Sequence, residues 1–290
     1  MEERLYDSAI IGCGPAGISA AINLRIRNKS FILFGGNFCS PDLNRAERVD
    51  NYPGFYGVTG EELRQKFLEH LKQMDITITE ERVENIYNLE DGFSLMSGQE
   101  TYRASSLILA IGVSNEKYLP GEEELVGSGV SYCATCDGPL YRDKKVAVIA
   151  KTEEGLEDAE YLAELAEKVY LLPSFEVDEI LADNIIVIDS LPRKIRGESR
   201  VEELILADDV LKVDGIFIIR EVTPPDKLLA GLEIEKNHIK VNGDMETSVP
   251  GVYAAGDCTG TPYQIARAVG QGQVAALNAV SWLRRMKKDS

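Results

Sequence analysis

The chain has little positive charge and no long hydrophobic run. Its 290 residues include 31 lysines and arginines against 48 aspartates and glutamates, a formal net charge of −17. Nucleic acid and anionic membrane surfaces are therefore poor partners, because few cations are present to neutralise their phosphates. No apolar run approaches the roughly 18 residues that a membrane-spanning helix needs. The charged N-terminus, Met1-Glu2-Glu3-Arg4, predicts no signal peptide.

Cysteine is also scarce. The five cysteines are an odd number, which argues against a secreted disulfide framework and predicts a protein of the reducing cytoplasm. Apolar residues are not scarce, since they make up 44% of the chain and are enough for a full hydrophobic core. At about 150 residues per domain, the length predicts about two domains.

The order of the predicted elements indicates an α/β fold built from two similar units. A strand over 6–11, a glycine turn, a helix over 18–27 and a strand over 31–34 form one β-α-β unit. A second unit follows, with strands over 145–150 and 169–172 around a helix over 154–167. The remaining predicted elements are strands over 107–112, 185–188, 201–206, 211–220 and 251–257, helices over 61–73 and 262–287, and a polar hairpin tip over 192–200.

A glycine-rich turn follows the first predicted strand. Residues 12–17 read Gly-Cys-Gly-Pro-Ala-Gly and match G-x-G-x-x-G between a strand and a helix. Glycines in this pattern allow a tight turn and a close approach of a pyrophosphate to the helix N-terminus. The turn therefore predicts a dinucleotide site. The acid that would bind the ribose hydroxyls is absent, because residues 35–37 read Gly-Gly-Asn, so the motif alone leaves FAD and a nicotinamide cofactor open.

Cys133 and Cys136 form a C-x-x-C pair that Asp137 follows. Two thiols at this spacing can close a small ring, and one can resolve a mixed disulfide formed by the other. The structural alternative is half a zinc site, but the other cysteines and the two histidines are scattered along the chain. The pair is thus predicted to be a redox disulfide, and no metal site is predicted. Cys13, Cys39 and Cys258 are expected to be small buried fillers.

The C-x-x-C segment also carries a family resemblance. Residues 131–138, Ser-Tyr-Cys-Ala-Thr-Cys-Asp-Gly, resemble the redox motif of low-molecular-weight, bacterial-type thioredoxin reductases. The glycine turn resembles their FAD motif. Three further segments are similar to parts of the family's flavin site and occur in the same order. They are Asn-Tyr-Pro-Gly-Phe at 51–55, Ala-Ala-Gly-Asp at 254–257 and Gln-Ile-Ala at 264–266. The resemblance covers nearly the whole chain.

The resemblance implies two Rossmann-like (three-layer ββα) nucleotide-binding domains, the second inserted into the first. Residues 1–114 plus 245–290 would form an FAD-binding domain. Residues 115–244 would form a redox-disulfide domain that resembles a degenerate NADPH-binding domain. The resemblance also implies a homodimer.

The same resemblance implies roles for individual residues. Cys136 is expected nearest the flavin, Cys133 is the thiolate that attacks thioredoxin, and Asp137 serves the dithiol as acid and base. Tyr263 departs from the family, which has an arginine at that position. The residues expected to bind FAD are Gly12, Gly14, Pro15, Ala16, Gly17, Asn51, Gly112, Gly256, Asp257, Gln264, Ile265 and Ala266.

The inserted domain lacks the features of an NADPH site. Where the family has a second glycine turn, residues 149–155 read Ile-Ala-Lys-Thr-Glu-Glu-Gly. Carboxylates there would meet the phosphates at the helix N-terminus. The family's basic stretch for the 2′-phosphate is replaced by Pro-Ser-Phe-Glu-Val-Asp at 173–178. These changes predict the loss of pyridine-nucleotide binding.

Four functions fit a flavin beside a disulfide with no nicotinamide. The first is a thioredoxin reductase that takes electrons from reduced ferredoxin, because a flavin accepts electrons one at a time. The chain is similar to the branch of the family that uses this donor. The others are a dithiol oxidase that uses oxygen, an NAD(P)H enzyme with a degenerate site, and an FAD-stabilised scaffold or redox sensor. The Ala134-Thr135 spacer and Asp137 match the reductases and favour the first.

Overall fold

A computed structural model describes residues 5–36, 39–113, 118–178, 181–220 and 224–289, without the side chains of 41, 42 and 287–289. The chain divides into two compact units, Met1–Val113 with Pro224–Ser290, and Ser114–Thr223. The second unit is inserted into the first. The expected boundary at 114/115 lies outside the described residues. The chain returns to the first unit at Pro224, earlier than the expected 245, because Leu228 and Leu229 pack in the first unit's core.

The described residues form short strands and helices throughout. Strands β1 to β18 are, in chain order, Leu5–Tyr6, Ser8–Ile11, Phe31–Phe34, Asn85–Leu89, Gly92–Ser97, Glu100–Ala104, Leu107–Leu109, Val130–Ser131, Lys145–Ala150, Lys168–Pro173, Ile185–Val187, Pro192–Arg196, Glu203–Leu206, Val210–Lys212, Gly215–Ile219, Ile234–Glu235, His238–Ile239 and Val252–Ala254. Helices α1 to α7 are Pro15–Ile26, Pro41–Asn44, Gly60–Gln73, Ala134–Asp137, Glu154–Ala163, Pro225–Leu228 and Ile265–Asp289. Short 3-10 helices cover Glu123–Leu125, Gly138–Tyr141 and Asp257–Thr259.

The first unit has three layers around a parallel sheet of order β18-β7-β2-β3. Successive side chains of a strand point to opposite faces of the sheet. Ile10 and Ile108 therefore pack with α1 and α7 on one face. Ile11 and Leu109 pack on the other face with Phe93 of a second sheet, whose order is β1-β6-β5-β4. Both faces of the parallel sheet are covered, which explains its continuous apolar strands.

The second unit repeats this layering. Its parallel sheet has the order β11-β10-β9-β15-β8, and a second sheet has the order β12-β13-β14. Val146 and Val148 of β9 pack with Leu162 of α5. Ala147 and Ile149 pack on the other face with the antiparallel sheet. The predicted α/β fold of two Rossmann-like units, one inserted into the other, is confirmed.

Two predicted segments differ from the structure. The strand predicted over 211–220 is two strands in different sheets, because the chain turns at 213–214 and β15 joins the parallel sheet. The predicted hairpin tip contains strand β12, in which Ile195 is buried in the core while its charged neighbours are exposed.

Within the described residues, no helix combines the length and the apolar character needed to cross a membrane.

Candidate functional site

Three neighbouring parallel strands of the first unit lead into predicted cofactor residues. Gly12 follows β2 directly, Gly112 lies shortly after β7 and Gly256 shortly after β18. The order β18-β7-β2 makes these strands adjacent. In open α/β sheets, ligands bind in the crevice outside the carboxyl ends of the strands. The tertiary structure therefore brings these three glycines to one edge of the sheet.

The glycine turn has the geometry of an anion site. Gly12 has a φ of +107°, and a Cβ added at Gly17 would lie 1.8 Å from the Gly12 carbonyl oxygen. Helix α1 begins at Pro15 with Gly14 as its N-cap, without a side-chain cap and without an acid in its first turn. Its first N–H groups are thus left for another acceptor, and the helix dipole favours a negative charge there. The turn fits a pyrophosphate.

The loop that carries Gly256 and Asp257 packs directly on the glycine turn. A Cβ added at Gly256 would lie 3.0 Å from the Cβ of Ala16. The Gly256 N–H donates to Gln271 Oε1 at 3.0 Å, and the Thr259 hydroxyl lies 3.1 Å from the same oxygen. Sequence reasoning missed Gln271. The available signal was its place on α7 between the buried Ala268 and Ala275, where a polar side chain needs a partner.

Asn51 and Gln264, which are far apart in the chain, meet in the first unit. The Asn51 amide donates to Gln264 Oε1 at 2.7 Å. Residues 50–56 line a cavity beside this contact. Ile265 begins α7 and packs against the cluster of Leu43, Val49 and Leu63, and Ala266 next to it is exposed.

Tyr263, at the position where a departure from the family is expected, has a defined partner. Its hydroxyl lies 2.7 Å from His238 Nε2. Arg267, in the first turn of α7, donates to the carbonyl oxygens of Gly256 and Gly260. Its guanidinium therefore closes the 256–260 loop. Sequence reasoning assigned no role to His238, which lies 25 positions from its partner.

Two of the expected filler cysteines are paired. A disulfide joins Cys13 in the glycine turn to Cys39 in the segment after β3. The expectation was wrong for these two residues, because the chain after β3 folds back onto the turn across a sequence separation of 26. Cys258 is a free, buried thiol, and burial raises its pKa to about 12.

The C-x-x-C pair of the second unit is joined as a disulfide at the start of α4. The Cys133 N–H donates to Ser131 Oγ at 3.1 Å, and the Cys136 N–H donates to Cys133 Sγ at 3.0 Å. The second bond favours negative charge on Cys133 once the disulfide is reduced. Cys133 is only 4% exposed, whereas Cys136 and Asp137 are half-buried.

A buried charged cluster supports the strand before the C-x-x-C pair. Arg220 Nη2 donates to Glu122 Oε2 at 2.7 Å, and the Tyr132 hydroxyl donates to Glu122 Oε1 at 2.8 Å. Burial and the Glu122 carboxylate raise the pKa of Tyr132 well above its usual range. Tyr132 therefore stays a neutral donor and anchors the residue next to Cys133. Sequence reasoning did not find this cluster, because its members are up to 98 positions apart.

The strand ends of the second unit differ from those of the first. After β9, Lys151 Nζ reaches Ser174 Oγ at 3.2 Å, beyond the end of the neighbouring β10. Helix α5 has Glu153 as its N-cap and Glu154 and Glu157 in its first turn. Carboxylates complement the helix dipole and repel a phosphate. The edge that would bind a pyrophosphate thus carries the Lys151–Ser174 contact and the carboxylates at the N-terminus of α5.

Comparisons with known proteins agree with this geometry. The family model described as "Pyridine nucleotide-disulphide oxidoreductase" matches residues 6–272. A thioredoxin reductase of Bacillus subtilis (strain 168) is 32% identical over 310 residues, covering 99% of this chain and 98% of the relative. The crystal structure of a ferredoxin-flavin thioredoxin reductase from Clostridium acetobutylicum is 47% identical, with a TM-score of 0.93 over 97% of this chain and 99% of that chain. A thioredoxin reductase structure from Gloeobacter violaceus is 28% identical, with a TM-score of 0.78 over 97% and 95%.

Proposed function

Because this chain belongs to the pyridine nucleotide-disulphide oxidoreductase family and is a flavin disulfide oxidoreductase of the thioredoxin reductase type, we propose that it reduces thioredoxin with electrons from reduced ferredoxin. The observation that carries the choice of donor is the set of acids at the N-terminus of α5, Glu153, Glu154 and Glu157, on the edge of the second unit where a nucleotide phosphate would bind. The similarity to a ferredoxin-flavin thioredoxin reductase, at 47% identity, supports the same donor.

FAD is the cofactor, and the first unit offers residues that fit it. When bound, FAD accepts electrons singly or in pairs and supplies a pair to a disulfide. The uncapped N-terminus of α1 would take the pyrophosphate. The contacts between Asn51 and Gln264 and between Ala16 and Gly256 support one continuous site. The residues assigned to it are Gly12, Gly14, Pro15, Ala16, Gly17, Asn51, Gly112, Gly256, Asp257, Gln264, Ile265 and Ala266.

The Cys133–Cys136 pair carries the exchange with thioredoxin in this proposal. Two electrons and two protons convert its disulfide to two thiols. Asp137 takes the proton of the Cys133 thiol, and the resulting thiolate, favoured by the Cys136 N–H, attacks one sulfur of the thioredoxin disulfide. That bond breaks, a mixed disulfide forms, and the freed thioredoxin thiolate takes a proton, for which Asp137 is the proposed donor. Cys136 then attacks Cys133 Sγ, which restores the protein disulfide and releases the second thiol of thioredoxin.

The burial of Cys133 sets a condition on this step. At 4% exposure its sulfur is out of reach of another protein. Attack on thioredoxin therefore requires a rearrangement that exposes Cys133 after reduction. The acids at the N-terminus of α5 leave pyridine nucleotide poorly suited to trigger that change, so the trigger in this proposal is reduction of the disulfide itself.

Anaerobic reduction of the flavin distinguishes the possible donors. The holoprotein is mixed in turn with NADPH, NADH and reduced ferredoxin, and the flavin absorbance is followed. Ferredoxin is expected to bleach the flavin rapidly and the nucleotides are not. Rapid bleaching by NADPH would identify an NAD(P)H enzyme. Reoxidation of the ferredoxin-reduced protein faster by oxygen than by oxidised thioredoxin would instead favour a dithiol oxidase.

A matched pair of variants tests the cysteine assignment. Cys133→Ser and Cys136→Ser are both expected to keep ferredoxin-driven bleaching of the flavin and to lose thioredoxin reduction. Cys136→Ser should trap a stable mixed disulfide with thioredoxin, because the resolving thiol is gone. Cys133→Ser should trap none. The opposite trapping pattern would exchange the two roles.

The family resemblance also leads us to propose a homodimer. Sedimentation of the holoprotein is expected to give about twice the chain mass of 32.0 kDa. A mass equal to that of one chain at micromolar concentration would contradict it.

A further inference from the structure

The disulfide between Cys13 and Cys39 has no part in the proposed exchange with thioredoxin. The two Cα atoms are 4.8 Å apart, and the sulfurs are largely buried, with residue exposures of 3% and 9%. Gly35 makes room for the Cys13 sulfur, since a Cβ added there would lie 2.1 Å from it. The bond therefore ties the segment after β3 to the turn at which the FAD pyrophosphate is placed.

This bond holds an unfavourable backbone conformation in place. Cys39 has a φ of +32° and Ser40 a φ of +81°, values that residues with a Cβ rarely adopt. The Cβ of Ser40 lies 3.6 Å from the position that a Cβ on Gly14 would occupy. The strained segment is thus held against the N-cap of α1. Without the bond, Cys39 and Ser40 are free to return to negative φ and to leave the turn.

We propose that Cys13–Cys39 is a second redox-active disulfide that retains FAD when oxidised and releases it faster when reduced. The inference rests on the proposed placement of FAD at the glycine turn. The reductant is a small-molecule dithiol, for which dithiothreitol is the probe, and it reaches the pair at Cys39, the more exposed of the two residues at 9%. One of its thiolates attacks a sulfur of the pair and forms a mixed disulfide. Its second thiol then displaces that bond, leaving two thiols on the protein and a disulfide on the reductant, with two electrons and two protons transferred.

Thiol counting tests whether the pair is redox-active. The holoprotein carrying Cys133→Ser and Cys136→Ser is equilibrated in graded dithiothreitol redox buffers, acid-quenched, denatured and alkylated. Mass spectrometry is expected to show two added labels, on Cys13 and Cys39, across the buffer series. Cys258, a free thiol in the structure, is labelled throughout and is the internal reference. A pair that stays oxidised in the most reducing buffer, or reduced in the most oxidising one, would overturn the proposal.

Release of FAD tests the consequence. In the same background, flavin fluorescence after dilution is expected to rise at least about fivefold faster with the pair reduced than with it oxidised. Coupling between two sites typically changes affinity by about fivefold or more, and the proposal assigns that change to the rate of release. Adding Cys13→Ser and Cys39→Ser should give the fast rate in both buffers. Adding Cys258→Ala should leave the parent's response unchanged. Equal rates in the parent, or slower release when reduced, would overturn the proposal. Ferredoxin-driven reduction of thioredoxin by the unaltered protein tests the proposed function separately.

Discussion

At the scale of single residues, the Glu122–Arg220 ion pair shows how the second unit prepares its redox segment. The Glu122 side chain is 0% exposed and the Arg220 side chain 5%. Glu122 also accepts a hydrogen bond from the hydroxyl of Tyr132, the residue before Cys133. Burying two charges costs free energy, and the direct contact together with the tyrosine hydrogen bond offsets it. These contacts fix the position of Tyr132 and of β8, the strand that leads into the C-x-x-C pair.

Glu122→Gln removes the carboxylate that pairs with the buried Arg220 guanidinium. The free energy of unfolding is expected to fall by about 3–5 kcal/mol, measured by urea denaturation. Glu203→Gln is the matched control, because Glu203 pairs with Arg196, whose side chain is 59% exposed. That change is expected to cost less than about 1 kcal/mol. Similar losses in the two variants would contradict the importance assigned to the buried pair.

Cys258 makes stability depend on pH in the alkaline range. Burial raises its pKa from 9.0 to about 12, so between these values the unfolded chain loses a proton that the folded protein keeps. Its contribution to stability is fully present below pH 9 and falls as the pH rises toward 12. Unfolding free energies measured from pH 8 to about 10.5 should therefore decline more steeply in the unaltered protein than in Cys258→Ala. Parallel curves would show that the thiol is not buried as described.

At the scale of elements, helices α1 and α7 of the first unit are in close contact. A Cβ added at Gly272 would lie 2.0 Å from the carbonyl oxygen of Ala16, whereas one added at Gly270 would meet nothing within 4 Å. Ala16 is part of the glycine turn, so the distance between these helices affects the position of the residues proposed to bind FAD. Although both glycines lie on α7, an added Cβ has no space at Gly272 and ample space at Gly270.

Gly272→Ala is expected to push the helices apart. The predicted cost is about 1–3 kcal/mol of unfolding free energy, together with a lower FAD content after purification. Gly270→Ala is expected to gain up to about 1 kcal/mol, because alanine favours the helix and meets no obstacle. Thermal unfolding and flavin absorbance of both variants check this. A neutral Gly272→Ala would mean that α1 and α7 are not in the described contact.

At the scale of the whole molecule, the net charge of −17 influences the choice of partners. Acids in the first turn of α5 place part of this charge where a nucleotide phosphate would bind. The remainder creates a negative field that a partner meets before contact. With a ferredoxin of net negative charge, long-range repulsion opposes encounter, and salt screens it over a length of about 30 Å at 0.01 M and about 10 Å at 0.1 M.

The rate of flavin reduction by such a ferredoxin is therefore expected to rise between 0.01 M and 0.1 M salt. Stopped-flow absorbance at several ferredoxin concentrations gives the second-order rate constant. A control with dithionite, a small reductant, separates effects on the flavin itself from effects on encounter. A rate that falls with salt would show that a local basic surface, rather than the net charge, controls encounter.

The sequence by itself determined the α/β class, the repeated strand-turn-helix unit, the C-x-x-C pair and the absence of a G-x-G-x-x-G pattern at the start of the second unit's helix. These features depend on residues close together in the chain, where apolar periodicity and glycine spacing act directly on the local backbone. Only the tertiary structure decided which distant residues meet. It joined Cys13 to Cys39, Glu122 to Arg220 and Asn51 to Gln264, and it assigned β14 and β15 to different sheets. Such contacts follow from how packed layers bring separate chain segments together, which no local pattern specifies.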